Sequence, residues 1–494
     1  MFKKTAHHLN ETGDVLNRKL ESRYAIYAVM AVVTTLFVIA AAMIGISSYS
    51  PDSWAYFELS KTVFSGDFYR FNTFRSYFSN EYSAAFPLGY PVVLALVSLW
   101  TGPILMLAVA INIATVGATG LLLFNICKRI AIPAVAAVAL ILSVLFYPPY
   151  FDEVFTGRAI PLAMLIFLTA CHFHLLKRPL LAGIFLGVSA LVRFDFLVFA
   201  VLFQAVVFFL EKSPRLSFPA MPIGFVFGIL PWVVYSYTHF GKLWASDNSW
   251  VALSALPAFV LDYPAEAWVT AFQDPARWFM KIFDNTAPLA ESILSSAPLY
   301  PLLIFSLFFT ALNWVRLRIE NKSKTIILII VIVISTAPYL LTGYIDPRYY
   351  SLLFLSLSAT LVFVNGRNVG AEFLAGNFFG WMLVSLIFTI FIGTVYLFRD
   401  ALVGARRTEA MTSQHKLIQT LKVCHQFEPQ TVYIFMKEAG FVAPRYGAVS
   451  GMRIAYIPSN FERMTEGQRA AYLDQMKPYK LFASLLQVEQ CTNR

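Results

Sequence analysis

The stretch AIYAVMAVVTTLFVIAAAMIGI, residues 25–46, decides the fold class, because it holds no charged residue over a length that crosses a bilayer. The preceding segment, residues 1–24, is polar, and no convincing cleavage site accompanies the apolar run. We therefore expect a membrane anchor rather than a removable signal peptide. The chain then leaves the membrane through SSYSPDSWAYFELSKTVFSGDFYRFN, residues 47–72, whose first acid is Asp52.

The composition places the whole chain among integral membrane proteins. Hydrophobic residues make up 58% and charged residues 13%, with a mean hydropathy of +0.64, whereas a soluble domain carries about 25% charged residues. The formal charge of +10 comes from Lys and Arg in short clusters between apolar runs. This placement is typical of cytoplasmic loops and argues against nucleic-acid binding. The four cysteines show no metal-ligand spacing.

The apolar runs predict a polytopic helical protein with about eleven spans and a cytoplasmic N-terminus. Basic pairs such as Lys128-Arg129 and Lys177-Arg178 fall in alternate connections, which fixes this count under the positive-inside rule. The segment 87–100 is too short to span and is interpreted as a re-entrant or interfacial helix. Runs of roughly spanning length lie near 25–47, 103–127, 131–148, 159–176, 217–238, 298–315, 325–342, 351–364 and 377–398, and 179–210 is predicted as a hairpin of two short helices.

Three regions follow from this topology. Residues 1–24 form a cytoplasmic segment, residues 25–398 the transmembrane domain, and residues 399–494 an external domain of small mixed α/β type. The first external loop is long and rich in aromatic residues, which suits helices that lie in the headgroup region. The predicted external loops are 48–102, 149–158, 239–297 and 343–350.

Charged side chains recur at the outer turns of the predicted bundle. Ionisable groups at membrane depth are costly, and several on one face indicate a functional site. Acids there could activate a nucleophile, and arginines could hold an anionic group. The candidates are Asp52, the pair Asp152-Glu153, Arg193 with Asp195, and Arg348 next to Asp346.

Each candidate also has a purely structural interpretation. Asp52 suits an N-cap, because an apolar-periodic segment follows Pro51 and Asp52. The pair Asp152-Glu153 suits a solvated turn after two prolines. Arg193 could snorkel or pair with Asp195, and the arginine of IDPRYY, residues 345–350, could be an interfacial residue beside a tyrosine belt.

The order of features resembles the GT-C superfamily of integral-membrane glycosyltransferases, which use polyprenyl-phosphate sugars. The resemblance covers roughly residues 25–365 and rests on the order of degenerate motifs. These are PDSWAYFELSKTVFSGDFY, AFPLGYPVVLALVSLWTGP, NICKRIAIPAVAAVALILS, FDEVFTG, LGVSALVRFDFLVFA and IDPRYYSLL. The family includes protein mannosyltransferases and enzymes that modify lipid A or O-antigen.

The resemblance implies roles for individual residues. Asp52 corresponds to the carboxylate that acts as catalytic base or positions the acceptor, and either Asp152 or Glu153 to a second acid. Arg193 and the pair Arg348-Tyr349 correspond to partners of the lipid phosphate. Asp52 is followed by Ser53 rather than by a second acid, so the need for a divalent metal ion is left open and no metal ligand is assigned.

The expected function is transfer of a sugar from a polyprenyl-phosphate donor to a cell-envelope acceptor, an O-antigen, lipopolysaccharide or related glycan. The reaction would take place at the periplasmic face of the bacterial inner membrane, with membrane lipids around the site. The alternative is a transporter or flippase of lipid-linked sugars, in which the same charges would line a path. A third interpretation is a non-catalytic envelope assembly protein. One-sided charges without two repeated halves favour the enzyme.

Overall fold

The computed structural model describes twelve helices and four short strands in parts of the chain. The predicted spans 298–315, 351–364 and 377–398, all but a few residues of 325–342, and most of the tail lie outside the described residues. The described residues are 23–44, 51–65, 68–69, 73–74, 84, 86–101, 104–130, 132, 134–210, 219–246, 274–295, 339–341, 433–435, 454–456, 466 and 480–481.

The helices follow the apolar runs of the sequence closely in the first half of the chain. They are α1 (Arg23–Ile44), α2 (Pro51–Thr62), α3 (Gly89–Thr101), α4 (Ile104–Arg129), α5 (Ala134–Leu145), α6 (Pro148–Phe155), α7 (Ile160–Leu175), α8 (Pro179–Val192), α9 (Asp195–Leu210), α10 (Ala220–Phe240), α11 (Pro275–Asp284) and α12 (Thr286–Ser295). The predicted short helix near 87–100 is α3, and the predicted hairpin over 179–210 is formed by α8 and α9.

Within the described residues, three helices are long and apolar enough to cross a membrane: Tyr24–Ala42, Met106–Arg129 and Ala220–Phe240. A fourth span is possible if α5 and α6 count as one helix broken by a bend of 56°. Helices α3, α7, α8 and α9 are apolar but shorter. The described part is therefore that of a mostly helical membrane protein, and the total of eleven spans stays a prediction.

The region after residue 145 differs from the sequence prediction. A span was expected over 131–148, followed by an external loop over 149–158, but α5 ends at Leu145 and α6 runs from Pro148 to Phe155. Pro148 and Pro149 lack an amide hydrogen, which a helix interior needs and its first positions do not. The two prolines therefore break one helix and begin the next. The interpretation of Asp152 and Glu153 as a solvated turn is wrong.

Helices α8 and α10 pack at backbone contact through glycines spaced four apart on both. Gly183 and Gly187 of α8 face Gly224 and Gly228 of α10, and a Cβ atom on any of the four would overlap backbone atoms of the other helix. Small residues at this spacing let two membrane helices approach closely. The tight pair holds the turn between α8 and α9 in place.

Two hydrophobic clusters meet at α2. One joins α1 with α4 to α7, where Phe37 and Phe151 have ring centroids 4.8 Å apart. The other joins α2 to the end of α8 and to α10, and includes Leu59 and Trp232. Helix α2 contributes to both, and Tyr56 through Ser60 are all buried. This helix is wedged between the clusters and does not lie exposed on the surface.

Four short strands form one parallel sheet. They are β1 (Thr73–Phe74), β2 (Tyr433–Phe435), β3 (Ile454–Tyr456) and β4 (Lys480–Leu481), in the order β1-β3-β2-β4. Thr73 pairs with Ile454, so the loop after α2 and the tail lie on the same side of the helical bundle. The complete α/β domain over 399–494 stays a prediction.

Candidate functional site

Helix α2 brings Asp52 to one end of the bundle. Asp52 was interpreted as an N-cap, but the helix begins at Pro51, so Asp52 lies inside its first turn. A carboxylate there is favoured by the partial positive charge of the helix N-terminus. The hydroxyl of the next residue, Ser53, donates a hydrogen bond to the backbone oxygen of Thr156. This bond ties the start of α2 to the end of α6.

Asp152 and Glu153 both lie on α6 and share one arginine. Nη1 of Arg158 lies 2.6 Å from Oε1 of Glu153 and 3.5 Å from Oδ2 of Asp152. The Glu153 side chain is fully buried, whereas that of Asp152 is 28% exposed. A buried carboxylate is tolerated only when it is paired or hydrogen-bonded. Glu153 is therefore held in an ion pair with Arg158, whereas the Asp152 side chain is accessible to a substrate.

Asp52 belongs to the same charged group. Burial alone would lower the pKa of Arg158, but the carboxylates of Glu153, Asp52 and Asp152 together raise this pKa above its usual value. Asp52 therefore lies within electrostatic range of the guanidinium group. The three acids predicted from sequence all act on one cation, Arg158, which was not predicted.

Two buried polar side chains hold the turn that carries Arg158. Asn112 of α4 is fully buried, and its Nδ2 donates to the backbone oxygens of Glu153, Val154 and Arg158 at 3.3, 3.3 and 2.9 Å. The hydroxyl of Tyr90 donates to the backbone oxygen of Gly157 at 3.0 Å. The oxygens of Glu153 and Val154 also accept backbone hydrogen bonds from Arg158 and Gly157, so the side-chain bonds add to those that shape the turn. The position of Arg158 is thus fixed from two neighbouring helices.

Arg193 follows the last residue of α8 and forms an ion pair with the start of α9. Its Nε lies 3.0 Å from Oδ1 of Asp195, and its Nη2 lies 3.3 Å from Oδ2. The predicted pairing with Asp195 is confirmed. The Arg193 side chain is only 14% exposed, and it stands at the same end of the bundle as the three acids.

Tyr56 lies one turn after Asp52 on α2. Its ring packs edge to face against Phe86 and Tyr90, with centroids 5.0 and 5.1 Å away. Burial raises the pKa of Tyr56, and the charges that act on the phenol are, in decreasing order, Arg193, Asp52, Asp195 and Glu153. The phenol is thus within electrostatic range of both charged groups.

Asp152 and Glu153 contact Arg158, Asp52 is within electrostatic range of it, and Arg193 pairs with Asp195; the roles of these residues in one site stay a prediction. Arg348, Tyr349 and Asp346 lie outside the described residues. Asn112 was not predicted as a site residue, although an amide inside an otherwise apolar span is a recognisable signal. Arg158 and Tyr56 had no such signal, because their importance comes from burial between helices that are distant in sequence.

The arrangement offers groups suited to proton transfer and to anion binding. Asp52 and Asp152 can take a proton from a hydroxyl group, and Arg193 can attract a phosphate. Within the described residues, no group of three His, Cys, Asp or Glu side chains is placed to hold a metal ion.

Comparison with protein-family models finds no match, and comparison with curated proteins finds no similar sequence.

Proposed function

We propose that this protein is a glycosyltransferase that moves a sugar from a polyprenyl-phosphate donor to a hydroxyl group of a cell-envelope glycan or lipid. The observation that supports the proposal is a set of acids and arginines at the ends of apolar helices: Asp52 and Asp152 act on Arg158, and Arg193 pairs with Asp195. A lipid donor suits this position, because its chain can stay in the bilayer while its phosphate reaches the charged end of the helices.

In the proposed reaction Asp52 accepts the proton of the acceptor hydroxyl as its oxygen bonds to the anomeric carbon. The bond between that carbon and the phosphate oxygen breaks at the same time, and polyprenyl phosphate leaves. A positioned general base contributes about 10²- to 10⁴-fold in rate. Arg193, together with the predicted partners Arg348 and Tyr349, would stabilise the negative charge on the leaving phosphate.

The burial of the two acids on α6 supports a division of roles. Asp152 would contact the sugar or the acceptor, because a quarter or more of its side chain is accessible. Glu153 would act on the scaffold through Arg158, because it has no accessible surface. The choice between these acids, which the sequence left open, is thus proposed in favour of Asp152.

The proposed setting is the bacterial inner membrane, with about eleven spans and the site at the periplasmic face. The tail, residues 399–494, would be an external α/β domain beside the acceptor. The acceptor would be an O-antigen, lipopolysaccharide or related envelope glycan.

The decisive experiment uses purified full-length protein in detergent with a radiolabelled polyprenyl-phosphate sugar and an extract of envelope glycans, without any ion gradient. We expect label to move into the glycan fraction and polyprenyl phosphate to be released. Absence of transfer with every lipid-linked sugar supplied would refute the proposal. Mass measurement of envelope glycans from cells with and without the protein would then identify the acceptor.

The bend between α5 and α6 favours a second candidate, a transporter or flippase of lipid-linked sugars. Transporters often place their sites on broken helices, and Asp152 and Glu153 lie just after the 56° break. Reconstituted vesicles separate the two candidates. A flippase would move a lipid-linked sugar across the bilayer without breaking its phosphate bond, whereas the enzyme would release polyprenyl phosphate.

A further inference from the structure

We propose that the groove between α1 and α4 binds one chain of an anionic phospholipid whose phosphate lies at Lys128. The proposal goes beyond the proposed function and does not depend on it, because the groove uses none of the charged residues of the candidate site. The structural observation is an apolar groove between two helices of membrane-crossing length, with a lysine in line with one of its walls.

The groove runs along the surface of the bundle and has a volume of about 500 Å³. Its walls are α1 and α4, two of the three helices in the described part of the chain that are long and apolar enough to cross a membrane. The lining includes Tyr27, Ala31 and Val38 of α1 with Gly117 and Leu121 of α4. Tyr27 and Val38 are more than half exposed, so the groove opens toward the surroundings of the bundle. In a membrane these surroundings are lipid chains.

Two glycines of α4 show how the walls of the groove are paired. Gly117 lies opposite Thr34, whose hydroxyl would be 3.1 Å from a Cβ atom at that glycine, and Gly120 lies opposite Met30. Later residues of α4 thus face earlier residues of α1, so the two helices run antiparallel. One end of the groove is therefore formed by the start of α1, near Tyr27, and by the end of α4.

Lys128 lies at this end of the groove. An α-helix turns by about 100° per residue, so residues that are seven or eleven apart lie on nearly the same face. Lys128 is seven residues after Leu121 and eleven after Gly117, which puts it in line with the α4 wall. The helical rise places it about 10 Å beyond Leu121 along the helix axis.

The charge at this end of the groove is positive. Lys128 and Arg129 lie in the last turn of α4 and are exposed, and neither forms an ion pair with the residues that the structure describes. The sequence holds no acid between Glu81 and Asp152, so α3, α4 and α5 supply no counter-charge. Basic residues at a membrane surface attract anionic headgroups. An apolar groove that ends at a cation therefore fits a lipid with an anionic headgroup.

The test measures binding of phosphatidylglycerol and of phosphatidylcholine with the same acyl chains to full-length protein in detergent, by native mass spectrometry. We expect wild type to bind phosphatidylglycerol more tightly. Lys128→Gln should weaken phosphatidylglycerol binding about fivefold, the share of one basic residue at a membrane surface, and should not change phosphatidylcholine binding. Lys177→Gln is the matched control, because Lys177 is an exposed lysine beyond the end of α7 and outside both walls. Its affinities should equal those of wild type.

A second pair of variants tests the groove itself. Ala31 lines the groove, so Ala31→Trp should fill it and cause loss of binding of both lipids. Val32→Trp is the control, because Val32 is the next residue of α1, is 60% exposed and is not part of the lining. Both lipids should bind this variant as they bind wild type.

Each contrary result overturns the proposal in its own way. Equal affinity of wild type for the two lipids, or equal losses in Lys128→Gln and Lys177→Gln, would show no specific phosphate site at Lys128. Unchanged binding by Ala31→Trp would exclude the groove. Binding of neither lipid would assign the groove to residues 1–22 or to a second copy of the chain, and a dimer mass in the same spectra would identify the second copy. Sugar transfer is measured separately, so the proposed function stands or falls independently.

Discussion

Oε1 of Glu153 and Nη1 of Arg158 lie 2.6 Å apart at the end of α6, where the glutamate side chain has no exposed surface. The pair keeps two charges inside the protein, and each makes the burial of the other possible. Asn112 fixes the same turn through its three backbone contacts. The accessible acid Asp152 is therefore displayed on a rigid support.

Arg158→Met should destabilise the protein strongly, because it leaves the Glu153 carboxylate buried without its counter-ion. Breaking a buried pair from one side costs about 3–5 kcal/mol of unfolding free energy. Thermal or denaturant unfolding in detergent measures the loss. The double variant Glu153→Gln with Arg158→Met should lose less than the sum of the two single changes; simple additivity would contradict a coupled pair.

Asp52→Asn should abolish most of the transfer activity and keep the fold. Asparagine has the shape of aspartate but takes up no proton, so the rate should fall about 10²- to 10⁴-fold. The readout is sugar transfer together with the thermal midpoint. Lys61→Gln is the control, because Lys61 is an exposed residue of the same helix, whereas Glu58 is buried. Near-normal transfer by Asp52→Asn would move the role of base to Asp152.

Asp152→Asn and Glu153→Gln should fail in different ways. Asp152 is partly exposed and 3.5 Å from Arg158, so its change should lower the rate of transfer and leave the thermal midpoint nearly unchanged. Glu153 is buried at 2.6 Å from the same group, so its change should lower the midpoint. Measuring both quantities for both variants tests the division of roles, and the reverse pattern would assign the accessible role to Glu153.

The acids of the site could be predicted from sequence because each stands where an apolar run ends. A carboxylate beside a membrane span is costly and therefore conspicuous, and Asp52, Asp152 and Glu153 were found in this way. Arg193 was recognised for the same reason, since it interrupts the apolar stretch 179–210. These residues could be assigned to one face because alternate connections between successive spans lie on the same side of the membrane.

The environment of these acids could not be predicted, because it depends on helix packing. The dipeptide Pro148-Pro149 is compatible with a turn and with the first positions of a helix, and only packing against α4 and α7 decides for the helix α6. Burial of Glu153 follows from this helix, and so does the importance of Arg158. The local sequence does not show which of the two adjacent acids, Asp152 or Glu153, is buried.

Gly187→Ala should destabilise the pair of α8 and α10. A Cβ atom there would overlap the backbone oxygen of Phe225 and Cα of Gly228, so the helices would have to separate. Overpacking typically costs about 1–3 kcal/mol, and the thermal midpoint in detergent reports it. Gly117→Ala is the matched control, because its Cβ would meet only the Thr34 hydroxyl, at 3.1 Å. Equal midpoints for the two variants would contradict close backbone packing at Gly187.

Labelling of single cysteines tests the topology. Thr73 in β1 pairs with Ile454 in β3, so the segment after α2 and the tail should be reached from the same side of the membrane. In a variant without the four native cysteines, Ser65→Cys and Ser450→Cys should react with an impermeant maleimide added outside, whereas Lys177→Cys should react only after the membrane is opened. Lys177 is exposed and lies beyond the last turn of α7, at the opposite end of the bundle. Labelling of position 450 only from the cytoplasmic side would contradict the eleven-span count and the sheet that joins β1 to the tail. Labelling of positions 65 and 177 from one side would place the acids and the basic pair Lys177-Arg178 on the same face of the membrane.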